Sequence, residues 1–162
     1  MPPVTPYSKY LGDREPIAAL RETCSRIEGL TSGWLPPDFE RTYEAGKWSA
    51  RQILLHLAHI ELMFGSRVRL ALTTPSYVIQ PFDQDRWMAR EPAVEGRAAT
   101  DVFLSLSRLN TALFGTLSDA DLAIPVKHPE QGRVDVGWMV YTLAGHQLSH
   151  LPHLEQIAQK VA

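Results

Sequence analysis

Apolar residues recur every three or four positions along four long segments of the chain, which is the spacing of one buried face on an α-helix. Stretches containing Pro and Gly separate the segments, and strand patterns are faint. The four stripes are Ile17, Leu20, Cys24, Ile27 and Leu30; Ile53, Leu57, Ile60, Phe64, Val68 and Ala71; Ala99, Val102, Leu106, Leu109, Leu113 and Leu117; and Met139, Leu143, His146, His150, Leu154, Ile157 and Val161. Helices with one apolar stripe bury it by packing together. The sequence therefore predicts an all-α fold, a four-helix bundle.

Capping residues predict where three of these helices begin. Asp13 can cap the first helix, ahead of a proline that suits a first turn. Ser49 with Gln52 forms a capping-box pattern before the second helix. Asp135 is placed to cap the fourth.

The connection between the second and third helices is the unusual one. Residues 73–96 are long, contain proline and carry the aromatic stretch "PSYVIQPFDQDRW", whereas residues 34–48 and 117–134 make shorter connections. A long connection permits a crossover topology and often carries function. The 162 residues fit a single domain, in which we expect residues 1–12 to be loosely ordered.

Composition narrows the classes of protein. Hydrophobic residues make up 44% and charged residues 21% of the chain, as in soluble globular proteins. A net charge of −2 lacks the basic character of a nucleic-acid-binding protein, and no apolar run is long enough for a membrane helix. The N-terminus lacks the pattern of a signal peptide and there is one cysteine, so we expect a cytoplasmic protein.

Histidines interrupt two of the apolar stripes. Three of the six histidines lie in "GHQLSHLPHLEQI", where His146 and His150 are spaced i, i+4 and so share one helix face. His153 continues the row. On the second helix, His56 borders the apolar stripe, and His59 lies one turn further on the neighbouring flank.

A lone histidine in such a place would be interpreted as a hydrogen-bonded core residue. An inward-facing pair with a third histidine from another helix favours a metal site instead, because each neutral imidazole buried without a partner costs about 1–3 kcal/mol. A divalent ion would use those lone pairs as ligands. Three imidazoles leave coordination positions open for water or substrate, and such nitrogen ligands suit Zn or Ni.

The segments "KWSARQILLHLAHIE", "FDQDRW" and "LAGHQLSHLPHLEQI" together resemble the DinB/YfiT-like superfamily of four-helix-bundle metalloproteins over residues 14–160. In that family one histidine after the "WS" helix start and two from a later HxxxH bind a divalent ion. The resemblance implies that His56, His146 and His150 are the ligands. The ending "HLEQI" also allows a second register through His153, although Ser149 stands where that register needs a histidine.

Glu61 matches the acidic residue of the family's "HLxxxE" pattern. It lies about 140° around the helix from His56, at 100° per residue, so a salt bridge or a place beside the ligands is favoured over direct ligation.

The resemblance implies a thiol S-transferase that acts on a small molecule, with a low-molecular-weight thiol as co-substrate and a homodimer as the assembly. A metal-dependent hydrolase and a non-catalytic, stress-related metal-binding protein are the alternatives. His59 or His153 would shuttle a proton. Aromatic residues of the long connection, with Asp83, would line the substrate pocket, although Asp83 could equally serve local turn chemistry. These predicted pocket residues are Tyr77, Phe82, Asp83 and Trp87.

Overall fold

The computed structural model describes residues 2–161 and confirms the four-helix bundle. Four long helices make up the bundle, and shorter helices and a β-hairpin connect them. In chain order the elements are α1 (Ser8–Leu11), α2 (Pro16–Thr31), α3 (Pro36–Phe39), α4 (Ala50–Thr73), α5 (Gln84–Arg90), α6 (Gly96–Phe114), α7 (Asp119–Leu122), β1 (Pro125–His128), β2 (Gly132–Asp135) and α8 (Val136–Ala158). Across residues 2–161, none of these helices combines the length and apolarity that crossing a membrane requires.

The arrangement of the long helices decides which side chains meet. Helix α2 packs against α6 and α8, and α4 packs against the same two helices. Consecutive helices α2 and α4 therefore occupy opposite corners of the bundle, as do α6 and α8. This crossover brings α4 alongside α8, so the two histidine-bearing helices face each other.

Two of the predicted helix starts are confirmed. The Ser49 hydroxyl accepts the Gln52 amide at 3.3 Å, and the Gln52 side chain accepts the Ser49 amide at 2.9 Å, which completes the capping box of α4. The Asp135 carboxylate accepts the Trp138 amide at 2.7 Å and caps α8.

The predicted cap of α2 was wrong by two residues. Glu15, not Asp13, precedes the helix, and its carboxylate accepts the amides of Ile17 and Ala18 at 2.9 and 2.7 Å. Pro16 occupies the first helical position, so the residue directly before it becomes the cap.

The buried face of α6 also differs from the predicted stripe. Val102 and Leu109 are 49% and 58% exposed. The face that points inward carries Ala99, Phe103, Ser107, Asn110 and Phe114. Two of these residues are polar, so the apolar periodicity of the sequence does not mark this face.

The N-terminal segment, expected to be loosely ordered, packs against the bundle. Helix α1 contacts α8, Leu11 is buried, and the Trp138 indole donates to the Val4 carbonyl at 3.2 Å. A Cβ atom at Gly145 would lie 2.7 Å from the Tyr7 carbonyl oxygen, so the close approach of this segment to α8 depends on glycine. The segment therefore lies directly beside the histidines of α8.

The long connection is held at two places. Its first part lies beside β1: the Ile79 amide donates to the Lys127 carbonyl at 2.9 Å, and the Lys127 amide donates to the Tyr77 carbonyl at 3.2 Å. Strand β1 pairs antiparallel with β2, from Pro125 opposite Asp135 to His128 opposite Gly132. The second part of the connection forms α5, which contacts α4.

Candidate metal centre

Three histidines converge between α4 and α8. One ring nitrogen each of His56, His146 and His150 can be chosen so that all three lie within 4.8 Å of one another. The Nε2 atoms of His56 and His146 are 3.1 Å apart. Two nitrogens that share a zinc ion at about 2.1 Å lie roughly 3 Å apart, so this spacing fits a common ion. The spacing i, i+4 on α8 supplies two of the nitrogens, and the crossover supplies the third.

The hydrogen bonds of the cluster do not satisfy its nitrogens. A single N–H···N bond can join His56 and His146 at 3.1 Å if their tautomers are complementary. The Nδ1 atoms of His56, His146 and His150 are buried and have no hydrogen-bond partner among residues 2–161. The feature that fits an ion held by three imidazoles is the convergence of one ring nitrogen from each histidine, because the lone pairs of those nitrogens would serve as ligands.

Burial keeps the three rings neutral at physiological pH. His56 and His146 are only 1% and 5% exposed. Burial, together with the neighbouring imidazoles, lowers the pKa of His56 to about 3 and that of His150 to about 4. The same causes lower the pKa of His146 well below its ordinary value. Neutral imidazoles have the free lone pairs that metal binding needs.

His59 points away from the cluster, towards α5. Its Nε2 lies 3.0 Å from a carboxylate oxygen of Glu91, and its ring meets the Trp87 indole edge-on at 5.4 Å. Its Nδ1 is buried and has no partner among the described residues. The side chain therefore ties α5 to α4.

His153 lies on the other flank of the cluster. Its ring stacks on Tyr43 with the centroids 4.1 Å apart, and it lies 5.8 Å from the His150 ring. Burial lowers the pKa of His153.

Two cavities reach the cluster and share no lining residue. The first, called the His146 cavity, has a volume of about 250 Å³ and ends at His146. Its lining includes four aromatic residues, Tyr7, Phe64, Phe82 and Trp138, and also polar and charged residues. The second, called the His150 cavity, also has about 250 Å³ and is lined by Tyr43, Gly46, Lys47, Trp48, Ile53, His150 and His153. The metal centre can thus be approached from two sides.

The four predicted pocket residues lie in different places in the structure. Phe82 lines the His146 cavity, and Trp87 packs edge-on against Phe82 at 4.9 Å. Asp83 caps α5 by accepting the Arg86 amide at 3.0 Å, which is the local turn chemistry considered for it. Tyr77 lies outside both cavities, because its pairing with β1 places it in a different cavity beside the hairpin.

Several residues near the cluster were not predicted. Glu91, Tyr43 and Tyr7 come from loops and from the N-terminal segment, whose sequences carry no periodic signal. Arg67, which lines the His146 cavity, could have been found from the helical repeat of the sequence. It follows His56 by eleven residues, about three helical turns, so a charged residue occurs on the inward face of α4.

A second buried polar cluster lies beside the histidines. The Asn110 amide donates to one carboxylate oxygen of Glu61 at 2.6 Å, and the Gln147 amide donates to the other. Arg69 donates to the Asn110 carbonyl oxygen at 2.7 Å. Burial raises the pKa of Glu61. The amides take the place of the salt bridge considered for Glu61.

Comparison with known proteins identifies relatives of this chain. The DinB superfamily model matches residues 19–154. A "putative metal-dependent hydrolase" of Oceanobacillus iheyensis is 27% identical over 122 residues, which is 75% of this chain and 71% of the relative. A second relative from that organism, with the same name, is 29% identical over 120 residues, or 73% and 69% of the two chains.

A solved structure shares the fold. YfiT from Bacillus subtilis, described as "a probable metal-dependent hydrolase with an unusual four-helix bundle topology", superposes with a TM-score of 0.78 at 19% identity. The match covers 99% of this chain and 91% of that one.

Proposed function

This chain belongs to the DinB superfamily, and we propose that it is a metal-dependent hydrolase of a small organic molecule. The observation that carries the proposal is the convergence of three neutral ring nitrogens, from His56, His146 and His150, beside a cavity that His146 lines. The relatives named as metal-dependent hydrolases support the same reaction class.

His56, His146 and His150 would hold the ion. A divalent ion bound there would lower the pKa of a water or thiol and polarise a carbonyl group of the substrate. Zn or Ni suits three imidazole ligands. The protein's own contribution is to hold the rings neutral.

The His146 cavity would hold the substrate. The aromatic part of its lining favours an apolar body, and the polar residues of the lining can orient the bound molecule. Phe82 lines the cavity from the side of the long connection, and Trp87 packs against Phe82.

His153 is the better placed of the two candidate proton carriers. Its ring lines the His150 cavity next to a ligand histidine, and stacking on Tyr43 fixes its plane. His59 lines neither cavity, and its Nε2 is already paired with Glu91. We therefore propose that His153 accepts and returns the proton at a ring nitrogen.

A thiol S-transferase is the second candidate. Hydrolysis needs one organic substrate and water, whereas S-transfer needs a thiol and an electrophile. Two separate cavities that reach different ligand histidines, His146 and His150, could receive two organic substrates.

The test begins with protein purified without a His-tag and loaded with Zn or Ni. Hydrolysis of aryl esters and amides is measured beside transfer of low-molecular-weight thiols to monochlorobimane. We expect metal-dependent hydrolysis that is lost in the His146→Ala, His150→Ala double variant. His128→Ala is the matched control for metal content, because His128 lies outside the three-nitrogen cluster.

Each outcome separates the candidates. Thiol transfer without hydrolysis would assign the protein as an S-transferase. Metal binding without either reaction would leave a non-catalytic metal-binding role. Turnover that survives unchanged in the double variant would place the chemistry elsewhere and contradict the proposal.

A further inference from the structure

The His146 cavity contains one buried cation, Arg67. Its side chain is only 9% exposed, and within residues 2–161 it makes a single hydrogen bond, from Nη2 to the Gln80 carbonyl oxygen at 2.5 Å. A guanidinium has five N–H donors. Among residues 2–161, the Arg67 nitrogens that lack a hydrogen-bond partner are not fully buried. These remaining donors therefore reach accessible space.

No carboxylate of the described chain, residues 2–161, forms an ion pair with Arg67. Exposed arginines of the same protein do form them: Arg108, for example, lies 2.6 Å from a carboxylate oxygen of Glu28. Burial lowers the pKa of Arg67, yet an arginine stays charged in proteins. Buried charges are ordinarily paired, so a buried arginine that opens into a cavity without a counter-ion indicates that a ligand supplies the anion.

The position of Arg67 relative to the metal centre sets the shape of that ligand. On α4, Arg67 follows His56 by about 16 Å along the helix axis, and on α8, Trp138 precedes His146 by about 12 Å. Trp138 and His146 both line the cavity, as Arg67 does. The anionic group of the ligand must therefore be separated from the group that reaches His146 by the length of the cavity between Arg67 and His146.

The other titratable groups that line the cavity indicate that the ligand carries a single negative charge. Glu130 lines the same cavity and opposes the accumulation of negative charge. His128 contacts Trp138 with the ring centroids 5.6 Å apart, and burial, with the charge of Arg67, lowers its pKa. One guanidinium cation beside a neutral imidazole and one carboxylate suits a monoanion better than a phosphate dianion.

We propose that the His146 cavity selects a small apolar or aromatic carboxylate, whose carboxylate group is bound by Arg67 while its reactive group faces His146. This assignment rests on the proposed function for the role of His146. A purely structural role, in which Arg67 only ties the long connection to α4 through Gln80, would use one of its five donors and would confer no preference between ligands.

The test is calorimetric binding to both the metal-free and the zinc-loaded protein. The probes are benzoate, phenylacetate, 3-phenylpropionate and 4-phenylbutyrate, each beside its neutral primary amide, with phenyl phosphate as the dianionic arm. We expect at least one carboxylate to bind about tenfold tighter than its amide in both forms, as for a charge-assisted hydrogen bond. The metal-free arm excludes direct carboxylate ligation to zinc and stays readable if the proposed metal function fails.

Arg67→Met should abolish that preference, and Arg67→Lys should keep part of it. Arg108→Met is the matched control: it removes the same charge from an exposed site and should leave the preference unchanged. Thermal unfolding of each variant shows that it is folded. Equal binding of acids and amides, a preference that survives in folded Arg67→Met, the absence of binding by all four carboxylates, or tighter binding of phenyl phosphate would each overturn the proposal.

Discussion

Two buried polar clusters lie side by side in this bundle, and neighbouring residues of α8 belong to one each. His146 joins His56 and His150, whereas Gln147 joins Glu61 and Asn110. Both clusters link α8 to α4 in the interior. They differ in what their polar atoms contact.

In the Glu61 cluster the protein supplies partners for both carboxylate oxygens, although Gln147 Oε1 has none among residues 2–161. Both carboxylate oxygens accept an amide N–H, and Asn110 in turn accepts a hydrogen bond from Arg69. In the histidine cluster the ring nitrogens converge on one another, and three Nδ1 atoms have no partner among residues 2–161. A buried carboxylate whose oxygens are paired by amides of the protein stabilises the fold, whereas ring nitrogens that converge on one another are suited to binding a ligand.

The largest expected difference between the clusters is their response to metal. At free zinc about 1,000-fold above the dissociation constant, binding should raise the free energy of unfolding by about 4 kcal/mol. The measurement is urea unfolding with zinc and with EDTA. His146→Ala should lose most of the gain, while Glu61→Gln should keep it, because Glu61 is not a ligand. An equal zinc response in both variants would erase the distinction.

The next effect is on the Glu61 cluster without metal. Glu61→Ala leaves the buried Gln147 amide without its acceptor and leaves the Asn110 amide with only the Glu61 backbone carbonyl, so we expect a loss of about 3 kcal/mol in the free energy of unfolding. Glu61→Gln keeps one acceptor oxygen and should lose less. Urea unfolding of both variants in EDTA measures the loss, and a Glu61→Ala protein as stable as the wild type would disprove the role of this cluster.

The two clusters should respond to pH with opposite signs. The folded pKa values of His56 and His150, about 3 and 4, lie below the ordinary value of 6.5, so the unfolded chain binds more protons in this range. Their contribution to stability is complete above pH 6.5 and is lost as the pH falls towards 4, by at most about 1.4 kcal/mol per pH unit for each ring. Unfolding of the metal-free protein across this range measures the slope.

Glu61 changes the pH dependence of stability with the opposite sign. Its folded pKa is raised above 4.5, so its contribution is present below that pH and is lost as the pH rises through the folded value. Glu61→Gln should therefore steepen the net rise of stability with pH, and His56→Leu with His150→Leu should flatten it. Parallel pH profiles for the wild type and both variants would contradict this assignment.

The smallest effect is expected from replacing histidines by apolar residues without metal. His56→Leu combined with His146→Leu removes both partners of the 3.1 Å contact and their unpaired Nδ1 atoms. Removing both members of a buried polar pair is nearly neutral or stabilising, so the change should stay below about 1 kcal/mol. Urea unfolding in EDTA checks it. A loss as large as that of Glu61→Ala would mean that the histidines stabilise the metal-free fold.

Local rules made the bundle and its histidine cluster predictable. Ser49 and Asp135 cap their helices through contacts within one turn, and the spacing of His146 and His150 follows from the helical repeat. The meeting of His56 with this pair needed the crossover, which the long connection permits but does not specify. The family resemblance predicted that His56 lies beside His146 and His150.

What could not be predicted depends on contacts between distant segments. The inward face of α6 carries the polar residues Ser107 and Asn110, and Asn110 is paired there with Glu61 of α4, so the apolar pattern indicates the wrong face. Tyr77 lies away from the site because it pairs with β1, and His59 is turned away from the histidine cluster by its contact with Glu91. None of these partners is near in sequence.

The central claim is that His56, His146 and His150 bind one divalent ion. The most direct measurement is an anomalous difference map from crystals of the zinc-loaded protein, recorded at the zinc absorption edge. The account predicts a single strong peak about 2.0–2.1 Å from one ring nitrogen of each of the three histidines. A peak coordinated by other residues, or none at this cluster in fully loaded protein, would contradict it.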